Sequence, residues 1–163
     1  MYRYFLVLLL ILPSACLANP PQSLLDAENA VCRVSVRDTD GMTSHGSGVL
    51  LANPETHRND NAYVLTAYHV IAQRQRQIGS IRVSWDGVSY HVCGVAAARP
   101  GCDAALLVLQ ASSVPAATPR VPIAEGDITP GEQAYVMGFG DARSNILKTA
   151  SGKCVQFTSN TYN

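Results

Sequence analysis

Two residues in this 163-residue chain, His69 and Asp103, sit where side-chain chemistry would be useful. His69 follows the run Tyr63-Val64-Leu65-Thr66-Ala67-Tyr68, and Asp103 opens the run Ala104-Ala105-Leu106-Leu107-Val108-Leu109. Each is thus a polar group at the end of an apolar segment. A carboxylate that accepts from one imidazole nitrogen fixes the tautomer and stabilises the imidazolium, leaving the other nitrogen as a general base. Such a base needs a hydroxyl or thiol to activate, and three residues come into question. Ser47 is flanked by Gly46 and Gly48 but lies upstream of His69 at the start of a strand. Ser151 precedes Gly152, yet Ala150 and Lys153 give no turn that could hold an oxyanion. Cys154 lacks a following glycine. No nucleophile is assigned within the chain.

The remaining polar residues suggest little chemistry. His45 falls in a turn, His57 in a loop and His91 on the polar face of a strand, so all three read as solvated surface. Arg74 and Arg76 form a small charged surface. No C-x-x-C pair or His-rich cluster points to zinc, and no metal or cofactor is expected. Basic and acidic residues balance at 12 each, which excludes the basic footprint of a nucleic-acid binder. With 47% apolar and 15% charged residues the chain can bury a core. Twelve Gly and nine Pro make turns frequent and argue against a helical bundle.

The elements that would position the pair are short strands. Cys32, Val34 and Val36 alternate with Arg33, Ser35 and Arg37 across Val31–Arg37. Ile81, Val83 and Trp85 alternate with Arg82 and Ser84, and Val88, Tyr90 and Val92 with Ser89 and His91. Asp86-Gly87 between them signals a two-residue hairpin. Gly48–Ala52, Ala62–Ala67 and Ala104–Leu109 read as mostly buried strands. These six strands predict an antiparallel all-β barrel over residues 31–110, interrupted only by a short helix from His69 to about Arg74. Trp85 takes a core position. Residues 111–122, rich in Ala, Ser and Pro, read as a linker. Gln133–Phe139 and Lys153–Thr158 read as the opening strands of a second, incomplete barrel over residues 123–163.

Residues 1–18 read as a secretory signal peptide: Arg3 gives the positive start, Phe5–Leu12 the apolar run, and Cys16-Leu17-Ala18 a small-residue cleavage site. The apolar run is too short to span a bilayer, which takes roughly 20 helical residues. The mature chain is expected to begin near Asn19, with a lead-in over residues 19–30, and to be secreted or periplasmic without a membrane anchor. Cleavage removes Cys16 and leaves Cys32, Cys93, Cys102 and Cys154. An even count in an exported chain suggests two disulfides. Cys93–Cys102 is favoured across a short Gly- and Pro-containing loop, which leaves Cys32–Cys154, with free thiols as the alternative.

Four segments carry a family resemblance: Gly46-Ser47-Gly48-Val49-Leu50, Leu65-Thr66-Ala67-Tyr68-His69-Val70, Cys102-Asp103-Ala104-Ala105-Leu106-Leu107, and Gly131-Glu132-Gln133-Ala134-Tyr135-Val136-Met137-Gly138-Phe139-Gly140. In this order and spacing the chain resembles the trypsin-like serine peptidases of the chymotrypsin fold. The resemblance implies His69 as general base, Asp103 as its orienting carboxylate, and a polypeptide substrate. It also implies that Thr66 and Ala67 shape the turn holding His69, and that Gly46 and Gly48 sit where the backbone passes close to a neighbour. No Ile-Val-Gly-Gly sequence precedes Val31, so the chain is closer to the self-sufficient bacterial branch. The family's Gly-Asp-Ser-Gly-like turn is missing from these residues, and with it the nucleophile and the oxyanion-hole amides. As written, the chain is expected to be an inactive N-terminal portion of an exported serine endopeptidase. A non-catalytic relative used in binding, or a decayed remnant, is the alternative. An unrelated secreted binding barrel is the third reading.

Overall fold

The computed structural model describes residues 9–11, 20–52, 61–72, 78–85, 87–123, 129–139 and 147–154. His57, Arg74, Arg76, Asp86 and residues 155–158 of the expected last strand lie outside them.

The described residues form ten strands and two α-helices: β1 (Leu9–Ile11), α1 (Pro20–Ala30), β2 (Val31–Arg37), β3 (Thr43–Leu51), β4 (Asn61–Ala67), α2 (Tyr68–Ile71), β5 (Ile81–Trp85), β6 (Val88–His91), β7 (Gly94–Arg99), β8 (Ala104–Gln110), β9 (Gln133–Gly138) and β10 (Lys148–Lys153). The larger sheet is antiparallel, in the order β6-β5-β2-β3-β4-β8-β7. Its outermost strands, β6 and β7, are consecutive in the chain and separated only by Val92 and Cys93. Two residues span about 10 Å at most, so the two edges of the sheet must meet. Val88–Arg99 is in effect one strand that changes partner: Val88–His91 pairs with β5, and Gly94–Arg99 with β8. Counted that way, the all-β antiparallel barrel has six strands; counted by ladder, seven.

The alternation read from the sequence is the alternation of burial. In β2, Cys32, Val34 and Val36 point into the barrel, where Leu50, Val64, Ile81, Val83, Leu107 and Leu109 are also fully buried. Burying an aliphatic side chain of this kind contributes roughly 1.5–3 kcal/mol. β3 breaks the alternation because both of its faces are covered. Leu50 enters the barrel, while Val49 and Leu51 join Ala27, Ala30, Val31, Val121 and Met137 in a second cluster outside it. That cluster fastens α1 and the smaller sheet, β1-β9-β10, to the barrel. Trp85 is buried as expected, edge-on to Tyr90 with ring centroids 5.4 Å apart.

Several expectations need correction. Neither expected disulfide is found among the described residues, where Cys32, Cys93 and Cys102 are free thiols. Cys93 and Cys102 are not joined by a loop, because β7 occupies Gly94–Arg99 between them. Six extended residues hold the two cysteines about 20 Å apart, and a disulfide needs Cα atoms within roughly 7 Å. Cys32 lies inside the barrel, and Cys154 follows β10 on the other sheet. Among the described residues the last strand is Lys148–Lys153, and residues 155–158 of the expected Lys153–Thr158 lie outside them. The lead-in is helical, opening on Pro20-Pro21, where proline suits a first helical turn. Leu9–Ile11, within the expected leader, pairs antiparallel with Ala134–Val136 of β9. His45 lies on β3 instead of in a turn, and is half-buried.

Candidate active site

The β4–β8 ladder sets the site. Its register pairs Ala67 with Ala104, so the residues just beyond, Tyr68 and His69 on one side and Asp103 on the other, meet at the end of the ladder although 34 positions apart. β4 runs directly into α2, whose N-cap residue Ala67 has no side chain to offer the first helical N–H groups. Asp103 supplies the acceptors from across the ladder. Its carbonyl accepts from Tyr68 N–H at 3.0 Å, and its Oδ1 accepts from His69 N–H at 2.8 Å. Helix termini leave such donors unpaired unless something caps them.

The second carboxylate oxygen takes the ring. His69 Nδ1 lies 2.7 Å from Asp103 Oδ2. Partial burial pushes the Asp103 carboxyl upward. The hydrogen bonds from the His69 ring and backbone, the charge of His69 and the Tyr68 N–H outweigh that and hold it below its ordinary value of 3.8. Asp103 is therefore ionised at neutral pH and can only accept. Nδ1 then carries a proton, and of the two neutral tautomers of His69 the one that fits leaves the lone pair on Nε2. Asp103 itself is left-handed (φ 50°), the one non-glycine residue with positive φ among those described. A short polar side chain tolerates that conformation, and a 3₁₀ turn over Pro100–Cys102 fixes it through Asp103 N–H to Pro100 O at 3.1 Å.

Both side chains of the pair are 43% exposed. An ion pair open to water contributes little to stability. What the arrangement provides is orientation: two contacts from one carboxylate fix both the backbone and the ring of His69, with Nε2 accessible to a ligand.

The glycines and Ser47 hold the ground under His69. A Cβ at Gly46 would collide with the Val70 side chain. One at Gly48 would meet Val64 Cγ1 at 2.7 Å, Cys32 Sγ at 3.0 Å and Val34 Cγ2 at 3.0 Å. Ser47 is buried, and its Oγ accepts from Phe139 N–H at 2.8 Å, joining the barrel to the end of β9. Its carbonyl accepts from the buried Thr66 hydroxyl at 2.8 Å. Ser47 is thus a tie between the two sheets, a role that its spacing does not reveal. Ser151 is exposed on β10. Cys154 is buried, with its carbonyl accepting from Gly131 N–H and its N–H donating to Glu132 O. Among the described residues, none hydrogen-bonds to Nε2 of His69, and no group of three His, Cys, Asp or Glu side chains could hold a metal.

A family model for the trypsin-like peptidase domain matches residues 46–163. The chain belongs to that family. The match includes the His69 turn, Asp103 and β9, while β2 and α1 lie outside it. No curated protein matches the sequence. Among solved structures, the inactive form of Rv3671c from M. tuberculosis H37Rv, a serine-to-alanine mutant, is 20% identical with a TM-score of 0.50. The alignment covers 84% of this chain and 57% of that one, so this chain spans little more than half of the protein it resembles. The active form of the Rv3671c protease is 17% identical, with a TM-score of 0.44 over 93% of this chain and 68% of that one. At such identity the likeness is one of fold: an antiparallel sheet curled into a barrel of chymotrypsin type.

Proposed function

We propose that this trypsin-like peptidase domain supplies the base half of a serine endopeptidase site, with polypeptide as substrate. The two-point grip of Asp103 on His69 carries the reading. His69 Nε2 would take the proton from a serine hydroxyl as it attacks the scissile carbonyl, and would return it to the departing amine. Asp103 would hold the ring and stabilise the imidazolium. The serine and the amides that bind the oxyanion are not assigned to any of residues 1–163, which are proposed to have no activity by themselves.

Export is part of the proposal. It rests on Arg3, the Phe5–Leu12 run and the Cys16-Leu17-Ala18 site, and removal of residues 1–18 would leave the β9 edge now paired by Leu9–Ile11 open. N-terminal sequencing of the protein from its native source is expected to begin at Asn19; a start at Met1 or Tyr2 would refute the export reading.

The test of the enzymatic reading is hydrolysis of an unstructured polypeptide by the protein from its native source, beside its His69→Ala variant. Cleavage by the first and none by the second is the expected result. Equal cleavage by both would overturn the assignment of His69. No cleavage by either would favour the non-catalytic relative.

A further inference from the structure

An open cleft of about 510 Å³ lies beside the β2–β3 hairpin, lined by Ser35, Arg37, Asp38 and Thr43 from the hairpin and by Ser80 and Arg82 from the start of β5. Two arginines and one carboxylate line it. Oδ1 of Asp38 accepts from Thr39 N–H at 2.6 Å and the Thr39 hydroxyl at 3.2 Å, so that oxygen serves its own turn. Among the described residues no carboxylate forms an ion pair with Arg37 or Arg82.

One of the two arginines is held by a histidine. The ladder registers pair Ser35 with His45, Ser35 with Arg82, and Arg82 with His91, making one row across four strands on the outer face of the barrel. Arg82 contacts His91 Nε2, and in the same way Arg33 Nε donates to His45 Nδ1 at 3.2 Å. Arginine has only donors, so the ring nitrogen it contacts is the acceptor. Of the two cleft arginines, histidine thus orients Arg82, without cancelling its positive charge. With neither Arg37 nor Arg82 ion-paired among the described residues, the cleft carries two positive charges against the one of Asp38.

The cleft lies at the same end of the barrel as His69. Thr43 lines it, and Gly46, three residues further along β3, packs against Val70 beside His69. Three strand residues cover about 10 Å, a distance that roughly three to five residues of extended polypeptide would bridge. The geometry points to a docking cleft for an acidic segment of a polypeptide, whose carboxylates pair with Arg37 and Arg82. The polypeptide nature of the ligand rests on the peptidase reading; the affinity for carboxylates rests on the cleft alone.

Fluorescence anisotropy tests this on the full chain, with a dye-labelled peptide containing a run of glutamates and its glutamine counterpart. The glutamate peptide is expected to bind at least tenfold tighter, and to weaken as salt rises. Arg37→Gln, at an exposed position, should weaken it roughly five- to tenfold, the loss of one charge-assisted contact. Arg37→Gln with Arg82→Gln should abolish it, while lysine at both positions should restore much of it. His69→Ala should bind like the wild type, so a failed peptidase reading leaves this result standing. Equal affinity for the glutamine peptide, or full affinity in the double glutamine variant, would overturn the proposal. So would displacement by inorganic phosphate at concentrations matching the peptide, since the cleft would then take free oxyanions.

Discussion

Replacing Asp103 with Asn keeps the size and shape of the side chain and changes what its two ends can do. In the wild type both oxygens accept, Oδ1 from His69 N–H at 2.8 Å and Oδ2 from the ring at 2.7 Å. Asparagine has one acceptor and one donor. If its oxygen keeps the backbone N–H, its amide points at Nδ1 and forces the ring into the opposite tautomer, with the proton on Nε2. If the oxygen keeps the ring, the first turn of α2 loses its cap. A hydrogen bond to a charged group contributes about 1.5–3 kcal/mol, and the 43% exposure of the pair reduces this to about 1 kcal/mol. The expected fall in Tm is then about 3–5 °C by calorimetry. The chemical effect should be far larger, because tautomer inversion in sites of this kind costs about 10⁴ in kcat. Peptide hydrolysis by the native-source protein would measure it, and ¹⁵N NMR of His69 would report the tautomer independently of activity. A variant that retains the Nδ1–H tautomer, or activity within tenfold of wild type, would show that Asp103 does not set the tautomer of His69.

Other outcomes follow from the same contacts. Gly48→Ala should destabilise the barrel by about 1–3 kcal/mol in denaturant titration, because its new methyl meets Val64, Cys32 and Val34 within 3.0 Å; an unchanged midpoint would show that the core yields. Thiol reagents should modify exposed Cys93 and Cys102 in the native protein and reach buried Cys32 only after unfolding. Burial also pushes the Cys32 thiol far up, which keeps it protonated and inert. Burial, and then the nearby charge of Arg33, hold His45 below its ordinary 6.5. The folded state therefore prefers it neutral, so its contribution is full above pH 6.5 and is lost as pH falls below that. His45→Gln should flatten the acid side of the stability–pH curve relative to wild type. Asp103 behaves alike at lower pH: its contribution is full above about pH 3.8 and is lost on further acidification, a loss that Asp103→Asn should remove.

The parts of the fold that were legible in the sequence are those where one face is buried and the other is not. Val31–Arg37 and Ile81–Trp85 occur at the expected boundaries because period-2 alternation and half-burial are the same fact. β7 was invisible for the opposite reason. Gly94-Val95-Ala96-Ala97-Ala98-Arg99 is small, largely exposed and bulged between Val95 and Ala97, so neither alternation nor β-branched residues mark it. It is a strand because closing the barrel gives it an edge to pair with, and missing it made a disulfide look possible. β10, exposed along its whole length, left no apolar trace either. At the candidate site, the strand ends flagged His69 and Asp103, and the register brings them together. The cap that Asp103 gives α2, and the hydrogen bond between Ser47 and Phe139, depend on contacts between distant segments that no local pattern encodes.

His69, held by Asp103, is proposed to activate a serine. A fluorophosphonate probe, which bonds covalently only to an activated serine, tests it when applied to the protein from its native source and followed by intact-mass and peptide-mapping spectrometry. One adduct is expected, on a serine other than Ser47 and Ser151, and His69→Ala should abolish it. No adduct on folded wild-type protein, or an equal adduct on His69→Ala, would contradict the account.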